Sequence, residues 1–166
     1  MAWTQNVPWW RRMAPWLAIA AVIVIVDQIT KVIVERQFVQ GDVLPVTSFF
    51  NLVLAYNKGA AFSFLANAGG WQDEFLSIVA VVASLFVLYL LWRHGTQRLF
   101  AFALSLILGG AIGNLIDRRL YGHVIDFLDF HYAGWHWPAF NVADSAIVCG
   151  AGLLILDELR RVRKSK

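Results

Sequence analysis

The stretch Gly109–Asp144, GGAIGNLIDRRLYGHVIDFLDFHYAGWHWPAFNVAD, decides how the chain is read. It opens inside one apolar segment and closes inside the next. Asp117, Asp126 and Asp144 all fall where those two segments meet the same side of a membrane. An ionisable group beside an apolar span is costly, so each such position calls for a partner or a function. Asn114 and Asp117 stand three residues apart near the end of the first segment, and Asn141 and Asp144 repeat the spacing at the start of the second. On a helix that spacing puts both members on one face.

Composition sets the surroundings. The chain of 166 residues is 59% hydrophobic and 15% charged, with a mean hydropathy of +0.60. A soluble domain would carry roughly 25% charged residues, so a bilayer is the simpler explanation. The length suits one domain, and residues 1–166 read as a single integral-membrane unit. The net charge of +3 is small and its basic residues gather at segment ends, which argues against nucleic acid as a partner. Cys149 is the one cysteine, so no disulfide or CxxC pair forms within the chain; it reads as a core residue.

Four apolar stretches are long enough to cross a membrane, at about 13–34, 75–92, 99–116 and 139–156. Arg11 and Arg12 precede the first in the manner of a signal peptide, but that run is long, contains Asp27 and Lys31, and has no clean cleavage site, so it reads as a retained helix. One set of ends carries Arg11, Arg12, Arg93, Arg98, Arg160, Arg161, Arg163, Lys164 and Lys166. The other carries Arg36, Lys58, Arg118 and Arg119. Nine basic residues against four place both termini in the cytoplasm and the connections 35–74 and 117–138 outside. Trp9, Trp10, Trp16, Trp71, Trp92, Trp135 and Trp137 lie near helix ends, as interfacial tryptophans do.

Within the first span, Asp27 and Lys31 are four residues apart and pair on one face. The plain reading is a structural ion pair with Lys31 reaching outward; the functional one has Asp27 organising a site from the neighbouring helix. The segment 40–65 is broken by Gly41, Asp42 and Pro45, and Asn57-Lys58-Gly59 signals a turn. It predicts a β-hairpin with 60–65 as the return strand, lying between helices one and two on the membrane surface or over a substrate. Gly109 and Gly113 form a small-residue face for close helix contact, and Ala146 and Gly150 form a second.

Two carboxylates that share one proton supply both a general base and a general acid, which is what peptide hydrolysis needs in the absence of metal, serine or cysteine. Asp144 also suits a helix-capping role beneath Asn141. Asp117 has Arg118 beside it as a counter-ion, whereas Asp126 sits in the apolar run Val124-Ile125-Asp126-Phe127-Leu128 with no adjacent cation. Burial there raises its pKa and favours proton sharing, so the residues lean toward Asp126 without excluding Asp117. Asp129, three residues on, points to the opposite side of an extended strand and reads as solvated. His123, His131 and His136 lack metal-ligand spacing, and no GxSxG elbow exists. No cofactor is expected.

Five segments in order, Asp27-Gln-Ile-Thr-Lys31, Tyr56-Asn-Lys-Gly-Ala-Ala-Phe62, Gly109 to Arg118, Val124-Ile-Asp-Phe127 and Phe140-Asn-Val-Ala-Asp-Ser145, resemble bacterial lipoprotein signal peptidase, also called signal peptidase II. The likeness spans about residues 14–157. It implies an aspartyl endopeptidase of the cytoplasmic (inner) membrane, facing outward, that cuts the signal peptide from diacylglyceryl-modified prolipoproteins just before the lipidated cysteine. It implies Asp126 and Asp144 as the catalytic dyad. Asn57, Gly59, Asn114, Asp117, Arg118, Asn141, Asp27 and Lys31 would hold substrate or support the dyad, and the 40–65 segment would form an outward β-cradle. The expected partners are the lipidated substrate and membrane lipids, with the enzyme a monomer. The rival reading is a small membrane carrier or proton-coupled transporter, since membrane carboxylates often relay protons. The scarcity of ionisable groups in the inner halves of helices two to four weighs against it.

Overall fold

A computed structural model describes residues 8–59 and 71–164. Four helices and four strands follow in the order α1 (Trp9–Gln37), β1 (Val43–Pro45), β2 (Phe50–Asn57), α2 (Trp71–His94), α3 (Arg98–Tyr121), β3 (Val124–Tyr132), β4 (Trp135–His136) and α4 (Val142–Lys164). Among the described residues, α1, α2 and α3 are long and apolar enough to cross a membrane. Their outward side chains, such as Val22, Ile25, Val82, Leu85 and Phe86, are large, apolar and exposed, as a lipid-facing surface requires. The helix α4 has 23 residues, but Asp144, Asp157 and Glu158 interrupt its apolar run, and it does not stand out as a span by composition.

The helix α3 is the centre of the bundle. Its Gly109 and Gly113 let α1 approach, and Gly110 does the same for α4. A Cβ on Gly109 would sit 2.7 Å from the Ile23 Cβ, and one on Gly113 would sit 2.7 Å from an Asp27 carboxylate oxygen. Gly150 on α4 meets the α3 backbone at Ala103 in the same way. The glycines thus bring three helix backbones together, as the small-residue spacing predicts. Toward one end, Met13, Ala20, Val87, Leu91, Leu104 and Leu108 form the apolar core, and the Trp16 indole donates to the Gly95 carbonyl at 2.8 Å.

The strands form one antiparallel sheet in the order β1-β2-β3-β4. It is not confined to the connection between α1 and α2, because half of its strands come from the connection between α3 and α4. The described partners of β2 are β1 and β3; the predicted return strand at 60–65 lies outside the described residues. Between Leu52 and Ala55 the pairing slips, with three steps on β2 matched to two on β3. One extra residue inverts which face a strand presents. Asn51 and Asn57, six apart and destined for one face of a regular strand, therefore serve opposite faces. Asn51 donates to Asp129 at 2.7 Å, and Asn57 donates to Asp126 at 2.9 Å.

Candidate active site

Two local devices bring α4 to the sheet. The Phe140 carbonyl accepts from the Phe127 and Leu128 amides, and its own amide donates to Leu128, which straps the chain to the edge of β3. Asn141 then caps the helix. Its Oδ1 accepts from the Asp144 amide at 2.9 Å, while an Asp144 carboxylate oxygen accepts from the Asn141 amide at 3.3 Å. This reciprocal pair satisfies two otherwise orphaned amides of the first turn, so the capping role of Asp144 is real. It also fixes the carboxylate in the first turn of α4.

The same asparagine reaches both acidic groups. The Asn141 side-chain amide lies 2.8 Å from Asp126 Oδ1, 3.1 Å from Asn114 Oδ1 and 3.3 Å from the Ile125 carbonyl. Asn114 accepts there and donates its own amide to Asp144 Oδ1 at 2.7 Å. Asp126 is held on its other oxygen by Asn57. Asn57 also closes its turn, accepting from the Gly59 amide at 2.8 Å. Gly59 has φ +94°, a left-handed conformation that disfavours any side chain, and a Cβ there would press on the end of the Leu76 side chain. Burial, and then the nearby charge of Asp144, push the Asp126 carboxyl up to about 7 against the partial opposition of its two amide donors.

A second layer lies beneath. Lys31 is 1% exposed and does not reach outward; its ammonium sits 2.8 Å from both Asp27 and Asp117 and 3.1 Å from Asn114 Oδ1. Asp117 therefore takes its counter-ion from α1, not from Arg118 beside it in sequence. Its other contacts are Gln28 at 2.8 Å and the Ile125 amide at 3.2 Å, which ties the start of β3 to the last turn of α3. Asp27 accepts from the Ala143 amide at 2.9 Å and so anchors the first turn of α4. Gln28, which the sequence reading did not single out, also touches Asp27 and the Gly113 carbonyl. Arg118 donates to the Asn114 carbonyl at 3.4 Å, and its buried Nε has no hydrogen-bond partner among the described residues.

Asp129 departs from expectation. It lies on the face of β3 opposite Asp126, as predicted, but it is buried, not solvated. Burial alone would raise its pKa; hydrogen bonds from His136 at 2.9 Å and Asn51 at 2.7 Å outweigh that and hold the carboxyl below its ordinary value. Cys149 also differs: it is exposed on the outer side of α4. Asp126, Asp144, Asn57, Asn114, Asn141, Asp117, Asp27 and Lys31 form one connected network, with Arg118 and Gly59 at its margins.

Fold and site together define a helical bundle with a buried carboxylate centre where α1, α3, α4 and the sheet meet. A family profile described as Signal peptidase (SPase) II matches residues 19–160, and the chain belongs to that family of peptidases. It is 67% identical over 152 residues to the lipoprotein signal peptidase of Janthinobacterium sp. (strain Marseille), covering 92% of each chain. It is 57% identical over 166 residues to that of Paraburkholderia phymatum, covering all of both. A solved bacterial membrane enzyme, determined by the in meso method at 2.3 Å resolution, superposes with a TM-score of 0.83 at 32% identity over 93% of each chain. The protein is thus a bacterial membrane peptidase, which sets the carrier reading aside.

Proposed function

We propose that the chain is an aspartyl endopeptidase that removes the signal peptide from lipid-modified prolipoproteins, with Asp126 and Asp144 as its catalytic pair. The observation that carries this reading is Asn141, which holds Asp126 through its side chain and Asp144 through its cap. Two acidic groups from separate elements are thereby tethered to one residue, and the carboxyl of Asp126 titrates near neutrality.

The chemistry follows from one proton shared by the pair. The ionised carboxylate takes a proton from water as the water oxygen bonds to the scissile carbonyl carbon. The protonated carboxyl gives its proton to the carbonyl oxygen. As the intermediate collapses, the C–N bond breaks, the amine of the lipidated cysteine receives a proton and the signal peptide leaves as a carboxylic acid. Each reacting proton passes through the pair, from water to the departing amine, so the step draws on no cofactor. Asn57, Asn114 and Asn141 orient the carboxylates, and Arg118, whose Nε is without a hydrogen-bond partner among the described residues, is the candidate to bind a substrate carbonyl. Lys31 bridges Asp27 and Asp117 beneath as their shared cation, with Asn114 as the link to Asp144.

In this reading residues 1–166 form one domain with four membrane passes, α4 included. Both termini are cytoplasmic, and the site opens on the outer face of the inner membrane, where the lipidated cysteine of a membrane-anchored substrate lies. The enzyme works as a monomer among membrane lipids. The test is purified protein in liposomes given a diacylglyceryl-modified prolipoprotein, with mass spectrometry of the product. A new amino terminus at the lipidated cysteine is expected, and the unlipidated precursor should stay intact. Equal cleavage of both precursors, or a cut elsewhere, would contradict the proposal.

A further inference from the structure

A groove of about 460 Å³ runs down the exposed side of α4 from Asp144, between Trp137, Phe140, Ser145, Val148 and Cys149. We infer that it seats one acyl chain of the lipidated substrate, with the carboxylate end of the groove at the cleavage site and the Cys149 end toward the membrane interior. This rests on the proposed function above and adds a binding subsite to it.

Three observations commit the groove to this occupant. The first is continuity, because Asp144 itself lines it. A lipid attached to the residue that follows the scissile bond must leave the site within a few bonds of that carboxylate. The second is polarity. The Ser145 hydroxyl is spent on the Asn141 carbonyl at 2.9 Å, and Asp144 is held by Asn114 and the Asn141 amide. Beyond those two the wall offers two aromatic rings, a valine and a thiol. An extended peptide would leave its backbone groups without partners there, which a lipid environment penalises by several kcal/mol per group; a hydrocarbon chain asks for none. The third is size. From Asp144 to Cys149 is about 7.5 Å along the helix axis, little more than one helical turn of about 5.4 Å. Over that length a methylene chain lies lengthwise along the strip of α4 between Trp137, Phe140 and Val148. Val148, 70% exposed, lines it one helical turn beyond Asp144.

The test compares wild type with Val148→Trp and Cys149→Trp on two lipopeptides that differ only in acyl length, dipalmitoyl and dibutyryl. Both side chains point outward, so either variant should fold, which its unchanged thermal unfolding will show. Filling the groove should raise KM for the dipalmitoyl substrate by about tenfold or more, leave kcat near wild type, and barely change KM for the dibutyryl substrate. As a second readout, a dipalmitoyl lipopeptide bound to the uncleaving Asp126→Asn protein should shield the single cysteine from N-ethylmaleimide, and its unacylated counterpart should not. If wild type cleaves both substrates while the variants show the same KM change for each, or none, the acyl subsite is wrong and the peptidase reading stands. If wild type cleaves neither, the peptidase reading fails and takes the subsite with it.

Discussion

Asp126→Asn should alter stability with a sign that reverses with pH. In the folded protein the Asp126 carboxyl titrates at about 7, against an ordinary value of 3.8. A folded pKa above the unfolded one means the native state binds the proton more tightly. Its contribution is fully present below about pH 4 and is lost as pH rises toward 7. The gap of about three pK units corresponds to about 4 kcal/mol of stability forgone above neutrality. Asparagine cannot ionise and escapes that loss. It presents one oxygen and one NH₂ where the carboxylate offers two acceptors, to Asn57 and to Asn141, so one contact fails at a cost of about 1–3 kcal/mol. The variant should therefore be more stable than wild type by about 1–3 kcal/mol near pH 8 and, because about 1 kcal/mol of the wild-type advantage is already lost at about pH 4.5, less stable by up to about 2 kcal/mol there. At about 2–4 °C per kcal/mol for a chain of this size, the apparent Tm shifts by several degrees in opposite directions. Thermal unfolding in detergent, followed by intrinsic tryptophan fluorescence at the two pH values, reads this directly. A Tm difference that is the same at both would refute the burial and charge argument for Asp126.

Three further outcomes follow from the same geometry. Lys31→Met leaves Asp27 and Asp117 buried without their shared cation and should cost about 3–5 kcal/mol, measured as the midpoint of SDS-induced unfolding; adding Asp27→Asn and Asp117→Asn should recover most of it. Gly113→Ala places a Cβ 2.7 Å from the Asp27 carboxylate and should cost about 1–3 kcal/mol in the same assay, while Gly152→Ala, which meets nothing within 4 Å, should gain up to about 1 kcal/mol in helix propensity. Asn51→Ala removes the 2.7 Å donor from buried Asp129 and should cost about 1.5–3 kcal/mol, yet leave turnover near wild type, because that face of β3 is turned away from Asp126.

Local rules carried much of the site. The Asn-x-x-Asp spacing at 141–144 reads as a capping pair and is one; the glycine faces of α3 read as close contacts and are. What escaped was set by partners distant in the chain. Asp117 looked paired to Arg118 because they are neighbours, whereas Lys31 reaches it from 86 residues away on α1. The burial of Asp129 depends on Asn51 and His136 meeting across three strands, and the tie between Asn57 and Asp126 depends on a slip in register that nothing local announces. Cys149 sits in an apolar run yet faces outward, because in a membrane bundle an apolar residue is as much at home against lipid as in the core.

The most direct measurement is the rate of single-turnover cleavage of a diacylglyceryl-modified prolipoprotein by Asp126→Asn and by Asp144→Asn, beside Asn51→Ala as a folded control. Two groups sharing one proton predict that either substitution lowers the rate by about 10²–10⁴-fold or more while the control cleaves normally. Wild-type turnover by either asparagine variant would contradict the assignment of the pair.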